Sequence, residues 1–487
     1  GSSDSADAFK AAQKIPNFLQ NLFGEGVLSS SFIPVYARLL GEKNNIEANR
    51  VAGAIATLLA IITSILALVG VLLTPVLIDV IAPGFVGEKR LLTIRLVKIL
   101  FPGIAVLVMS AWCLGILNSH RRFFLSYVAP VVWNGAIIGV LLFFGRHQPQ
   151  GDLAVTTAWG LVLGCILQLV VQLPTVLRLL TEFRPSLDLG STWVRQVLRN
   201  FGPMVIARGV VQVSAYIDNM IASLLSAGAV AALGYAQTLA LLPVSLFGMS
   251  VAAVSLTEMS RSRGEEVASS TTESQTRQRA QLNQGLLQIA FFVVPSMIAF
   301  IALGDVVIAA LYKTGKFGHG DVVYVWAALA GSALGLLSST LGRLYASTFY
   351  ALGDTRSPLR IALLRIALAT LLGYVASVRL PSYLGLQAAS GIVCLTTTSS
   401  AVSWLEFFLL RRKLSARIGP SGLPWAFTGK VGLASLLAGG AGLGIEALCR
   451  RLAPDLAPYL TAIPILGGFG AAYLGMALLL RVPQAQR

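Results

Sequence analysis

Thirteen apolar stretches run through this chain, at 7–37, 51–80, 97–118, 124–145, 153–177, 200–226, 229–257, 284–312, 322–351, 359–378, 385–410, 428–448 and 459–480. Each holds the roughly 20 apolar residues that a helix needs to cross a bilayer. Pro16 and Pro34 fall inside the first of them, where neighbouring helices can satisfy the carbonyls that a proline frees. Only 12% of the 487 residues are charged, against about 25% in soluble domains. Mean hydropathy is +0.76, so lipid is the solvent for most of the chain. Spans and short loops consume its length, leaving no sizeable soluble domain.

The formal charge of +16 points to nucleic acid only in a soluble protein. Here the basic residues sit between apolar runs, where they orient spans and meet anionic headgroups, so nucleic acid is excluded as a partner and membrane lipids take its place. Alternate loops carry 22 Lys and Arg on one side against 9 on the other. The richer side is cytoplasmic by the positive-inside rule. With an odd number of spans, Gly1 is then outside and Arg487 inside.

Cys113, Cys165, Cys394 and Cys449 are isolated within apolar sequence, and His120, His147 and His319 lie in expected loops. No paired-ligand spacing for a metal emerges. Phosphate loops, nucleophile elbows and paired-carboxylate sites are also missing, so we expect neither an enzyme nor a cofactor. Tryptophans and tyrosines near span ends read as interface anchors. The chain starts without methionine or signal peptide, as expected if it begins partway through a longer protein or after a tag.

The chain repeats itself. Ala12-Gln13 followed by Leu22-Phe23-Gly24 recurs 224 residues later as Ala236-Gln237 followed by Leu246-Phe247-Gly248, and a proline, Pro16 or Pro243, interrupts each copy. Proline-interrupted helices in corresponding places of two halves mark transporter repeats with a central cavity. The expected fold is an all-α polytopic membrane protein with two pseudo-symmetric six-helix lobes, the first lacking one helix, and two extra C-terminal helices. Residues 1–180 form the N-terminal lobe, 181–412 the C-terminal lobe and 413–487 the added pair.

Six cations escape the loops: Lys10, Lys14, Lys98, Arg208, Arg343 and Arg365. A charge at mid-bilayer costs from roughly 2.5 to well over 10 kcal/mol, so such residues face a wet cavity or a partner, or snorkel. Lys98 reads as snorkelling, and Arg365 as reaching the headgroups from about two turns past the loop containing Arg356. Lys14 shares a helix face with Lys10, with Asp7 to balance them, and either lines a cavity or snorkels. Arg208 and Arg343 suit anion binding, structural ion pairing or snorkelling. Several guanidinium groups in one cavity would match a phosphate or diphosphate.

The first segment, DAFKAAQKIPNFLQNLFGEGVLSSSFIPVYAR, with Asp7, Ala8, Phe9, Lys14, Pro16, Asn17, Glu25, Gly26, Phe32 and Pro34, resembles the second-helix signature of the MurJ/MviN family of lipid II flippases. That family lies in the multidrug/oligosaccharidyl-lipid/polysaccharide exporter superfamily. LVKILFPGI from Leu96, GPMVI from Gly202, LYKTGKF from Leu311 and FYALGDTRSPLRIAL from Phe349 are similar to its later motifs. The resemblance implies fourteen helices, the last two beside a groove for a lipid tail, and a missing first helix that carries cavity arginines in the family. It also marks departures. Gln20 stands where the signature usually has arginine, and Thr238 and Leu241 stand where an arginine and a glutamate face the cavity. Arg343 falls on a position that is basic in relatives, whereas Arg208 is particular to this chain.

The resemblance therefore implies a flippase of the bacterial inner membrane. It would move undecaprenyl-diphosphate-linked peptidoglycan precursor, lipid II, by alternating access, with Lys14, Asn17, Gln20, Glu25, Arg208, Thr238 and Arg343 as substrate-binding positions. A coupling ion and peptidoglycan synthesis proteins are the further partners expected. The thinned cation set motivates two alternatives, an exporter of another glycolipid or amphipathic drug, and a transport-dead scaffold of envelope enzymes. The charge pattern makes a topological prediction: the loop from Ser260 to Gln281 is cytoplasmic and Lys313 to Asp321 is periplasmic. Cysteines engineered into the two loops should label from opposite faces of the membrane, and labelling of both from one face would reverse the assignment.

Overall fold

The computed structural model describes all residues except 1–2, 24–26, 29–30, 146, 182, 189, 250–270, 316, 353, 355, 384, 386–389, 453–455 and 487. Within helices, the side chains at 15–16, 19–22, 123, 203–204, 206–215, 249, 271–275, 277, 350–351 and 382 also lie outside the description. Chain contacts divide it into two units, Ser3–Ala227 and Gly228–Arg487. The lobes expected from the sequence meet at 180, whereas residues 181–227 group here with the first unit.

The N-terminal unit comprises α1 (Asp4–Phe23), α2 (Ile33–Gly41), α3 (Asn45–Leu72), α4 (Thr74–Ile81), α5 (Gly87–Ser119), α6 (Phe123–Phe144), α7 (Gln150–Leu179) and α8 (Thr192–Ser223). Asn44 caps α3 by accepting the Glu47 N–H at 3.3 Å. The central helix is α5, which packs against α1, α3 and α7 and buries Phe101, Val108, Trp112 and Ile116. Lipid supplies no hydrophobic drive between helices, so small residues and polar contacts hold them. Ser110 donates to Gln172 Oε1 at 2.7 Å and accepts from Gln168 Nε2 at 2.9 Å. A Cβ on Gly164 of α7 would lie 2.6 Å from the Trp133 ring and 2.9 Å from the Trp133 carbonyl of α6. At one end of the unit the Asp7 carboxylate, fully buried, accepts from Lys89 Nζ at 2.5 Å; that ammonium also pairs with Asp4 at 3.0 Å.

In the C-terminal unit, α9 (Ala229–Pro243) continues as a π-helical turn, Val244–Met249. There follow α10 (Thr271–Ala302), α11 (Gly304–Tyr312), α12 (His319–Ala333), α13 (Leu336–Ala351), α14 (Arg356–Tyr374), α15 (Ser390–Ile418), α16 (Trp425–Leu452) and α17 (Pro458–Leu479). Helix α15 lies against α12, α13 and α14, while α16 packs on α10 and α17. Gly331 and Gly335 let α15 approach, and Ser400 donates to the Gly331 carbonyl at 2.7 Å. The tryptophan reading changes at two positions. Trp326 donates to the Phe300 and Ile301 carbonyls, both at 3.2 Å, and Trp404 to the Leu334 carbonyl at 2.9 Å. These are carbonyls left over where α10 and α12 end, so the indoles satisfy helix breaks inside the unit.

A clasp joins the neighbouring ends of α13, α14 and α15. Asp354 accepts from the Ser357 N–H at 2.9 Å and from the Ser357 hydroxyl at 2.5 Å, capping α14. It also pairs with Arg417 near the end of α15 at 2.7 Å, and that guanidinium lies 5.6 Å from the Phe349 ring centre on α13. The Ser357 hydroxyl, then the Ser357 amide and the Arg417 charge, hold the Asp354 carboxyl down at about 2.

The chain is thus all-helical among its described residues. Ten helices there are long and apolar enough to cross a membrane, or eleven when α12 and α13, bent by 42°, count as one span. The other two of the thirteen expected spans correspond to α1 and α8, whose polar residues keep them below that threshold. The expected first span, 7–37, divides into α1 and α2, and 51–80 and 284–312 also break, at Leu73 and Leu303.

Two predictions follow from this packing. Gly164→Ala should destabilise by about 1–3 kcal/mol through overpacking. Gly135→Ala on α6, which meets open space, should leave the melting temperature in the same detergent unchanged. Asp354→Asn should lower that temperature at neutral pH. Because folding depresses the Asp354 pKa from 3.8 to about 2, its stabilisation is complete above about pH 4 and is lost as pH falls toward 2. The gap between variant and parent should shrink over that window.

Candidate functional site

Each unit carries charge within helices that the sequence reads as spans. In the N-terminal unit, α1 sets Lys10, Lys14 and Asn17 at intervals of four and three residues, which places them on one face. Asn17 is exposed. Lys14 Nζ is inaccessible and has no hydrogen-bond partner among the described residues. Its electrostatic neighbours are the Asp218 carboxylate on α8 and the Lys10 ammonium. A buried ammonium without a hydrogen bond is costly to keep, and the Asp218 carboxylate offsets part of that cost.

Tyr216 fixes the place where α8 meets α1. Its hydroxyl donates to the Lys14 carbonyl, and its ring stands edge-on to Phe18 with centres 5.0 Å apart. Phe18, Tyr216 and Met220, with Leu66, Val69 and Phe101, line an apolar cavity of about 390 Å³. A charged group and an apolar hollow therefore lie on consecutive turns of α1.

The remaining N-terminal positions are less fully described. Gln20 belongs to α1 and Arg208 to α8, but both side chains lie outside the described residues, and Glu25 lies outside them altogether.

In the C-terminal unit, Thr238 is exposed on α9 and donates to the Gly234 carbonyl at 2.8 Å, so its hydroxyl serves the helix. Arg343 is exposed on α13. Arg365 does not extend alone toward headgroups as its distance from the Arg356 loop suggested. Its Nε lies 3.4 Å from Glu406 Oε2 on α15. Arg343 lies within electrostatic range of both. Glu406 is the residue that counting cations missed. Its signal was a lone acid inside SSAVSWLEFFLL, because an intramembrane carboxylate needs a partner as much as a cation does. Two guanidinium groups and one carboxylate leave the cluster with net positive charge, chemistry that suits an oxyanion.

Comparison with known proteins gives these charges a context. Residues 1–454 match the family model for lipid II flippase MurJ. A lipid II flippase MurJ of Burkholderia cenocepacia is 31% identical over 446 residues, covering 90% of this chain and 83% of that protein. A probable lipid II flippase MurJ of Haemophilus influenzae is 30% identical over 402 residues, covering 80% and 78%. Among solved structures, lipid II flippase MurJ in an inward closed conformation aligns with a TM-score of 0.76 over 98% of this chain and 93% of that one, at 22% identity. An inward-facing multidrug resistance transporter of the MATE family, in the MOP superfamily, aligns at 0.68 over 85% and 94%, at 18% identity. Those two likenesses show a shared fold. The match of the family model over nearly the whole chain, with the relative from Burkholderia cenocepacia, shows that the chain belongs to the lipid II flippase MurJ family.

Proposed function

We infer that this chain is a transporter rather than an enzyme, a multi-pass flippase that carries lipid II across the bacterial inner membrane. The family match over residues 1–454 carries this reading. The alternating-access cycle follows from the repeat architecture read in the sequence. Such a substrate presents a diphosphate that must be held where water is scarce, and cations at that depth are its natural partners.

Lys14 is our first candidate for a diphosphate contact, supported by a buried ammonium with no hydrogen bond. Arg343 is the second, supported by its exposure on a membrane-spanning helix. Asn17 and Arg208 extend the set, and Gln20, Glu25 and Thr238 are assigned to it on the resemblance alone. The polyprenyl tail stays in lipid beside 413–487, the C-terminus is cytoplasmic, an ion gradient or the membrane potential supplies the drive, and peptidoglycan synthesis proteins are neighbours in the cell.

Each charge-assisted contact is worth about 1.5–3 kcal/mol, so losing one should weaken headgroup binding by at least about tenfold. Arg343→Ala and Lys14→Ala should each fail to complement a flippase-depleted cell at near-normal membrane abundance. Gln20→Arg or Thr238→Arg should raise activity on lipid II. Transport at the parental rate by Arg343→Ala, Lys14→Ala and Arg208→Ala alike would replace the cationic mechanism with a neutral-substrate or scaffold role.

A further inference from the structure

The cluster of Arg343, Arg365 and Glu406 comes from three helices whose ends are held in register. The Asp354–Arg417 pair, at 2.7 Å, puts the end of α13, the start of α14 and the end of α15 on one side of the unit. With a rise of 1.5 Å per residue, Arg343, Arg365 and Glu406 lie about 12, 14 and 18 Å from those ends. All three therefore lie inward of that side, Glu406 about 8 Å along α15 from Arg411.

The pairing there is loose. Charge-assisted N–H···O bonds close to about 2.7–2.9 Å. Arg365 Nε stands 3.4 Å from Glu406, is inaccessible to solvent, and makes no hydrogen bond among the described residues. A buried guanidinium nitrogen thus keeps its donor capacity unspent beside a carboxylate that neutralises its charge. A pair evolved only to hold α14 against α15 would gain from closing the remaining half ångström, because an unsatisfied buried donor is destabilising. The exposed Arg343, on the third helix, adds a second guanidinium in range of the same carboxylate.

We propose that Arg365 is a second anion ligand beside Arg343, and that Glu406 is its built-in counter-ion, occupying Arg365 when the headgroup is absent and yielding it when a diphosphate arrives. Glu406 then sets the balance between holding and releasing the substrate. With the carboxylate present, binding a phosphate oxygen to Arg365 means giving up an existing attraction, which lowers affinity and speeds departure. This inference rests on the diphosphate substrate proposed above.

The test is a double-mutant cycle read as affinity for undecaprenyl diphosphate, titrated onto the purified full chain in detergent. Glu406→Gln should tighten binding by about tenfold, equivalent to 1.4 kcal/mol, and slow lipid II transport in proteoliposomes. Arg365→Gln should weaken binding by a similar factor. The decisive comparison is the double variant, in which the gain from Glu406→Gln should vanish because the guanidinium it liberates is no longer there. If that gain persists in the Arg365→Gln background, the carboxylate acts only through overall charge and the proposal fails. It also fails if neither single variant changes affinity. Arg343→Ala separates the two levels of inference. If that variant loses affinity while the Arg365 and Glu406 variants do not, only the counter-ion role is lost, whereas no loss in any of the three removes the diphosphate site as well. Should a single variant not reach the membrane, the swap Arg365→Glu with Glu406→Arg preserves the pair and the net charge. It should bind within about threefold of the parent, and loss of binding by a folded swap would count against a ligand at this cluster.

Discussion

Charge in a low-dielectric medium is the constraint on which the rest of this structure depends. A charge at mid-bilayer costs from roughly 2.5 to well over 10 kcal/mol, comparable to the stability of a whole domain. Each buried charge therefore has an arrangement around it. Asp7 and Lys89 are locked together at 2.5 Å, closed and hydrogen-bonded, as befits a structural join. Lys14 and Arg365 are held near opposite charge without a completed hydrogen bond at Lys14 Nζ or Arg365 Nε among the described residues. The contrast is between a closed, hydrogen-bonded pair and two looser ones.

The same medium explains how the helices meet. Apolar side chains gain little by leaving lipid for one another, so close approach and polar contacts do the joining. Gly164 beneath Trp133, Gly331 and Gly335 beneath α15, and Ser110 between two glutamines all follow that logic. Trp326 and Trp404 extend it to the backbone, satisfying carbonyls at breaks that water cannot reach.

Much of the fold was legible because a run of apolar residues states its own environment. The helical class, the crowding of spans and the family resemblance all came from that signal and its motifs. The breaks at Leu73, Leu303 and Leu334 were not legible, because a kink inside uniformly apolar sequence is decided by what satisfies the freed carbonyls, and that partner lies elsewhere in the chain. The candidate site was legible in part. Lys14 and Arg343 announced themselves as cations far from any loop. The Arg365 partner was not legible, because distance along the chain from Arg356 says nothing of Glu406, 41 residues away. Asp218 near Lys14 is a similar long-range pairing, across helices α1 and α8.

The loose pair between α14 and α15 also constrains how the protein is made. Arg365 is synthesised about 40 residues before Glu406, an interval of roughly 2–8 s at ordinary elongation rates. Asp354 likewise waits for Arg417. During that interval α13 and α14 carry two guanidinium groups with no carboxylate yet available from α15. The ion pairs that join α14 to α15 are therefore completed only once all three helices have been made.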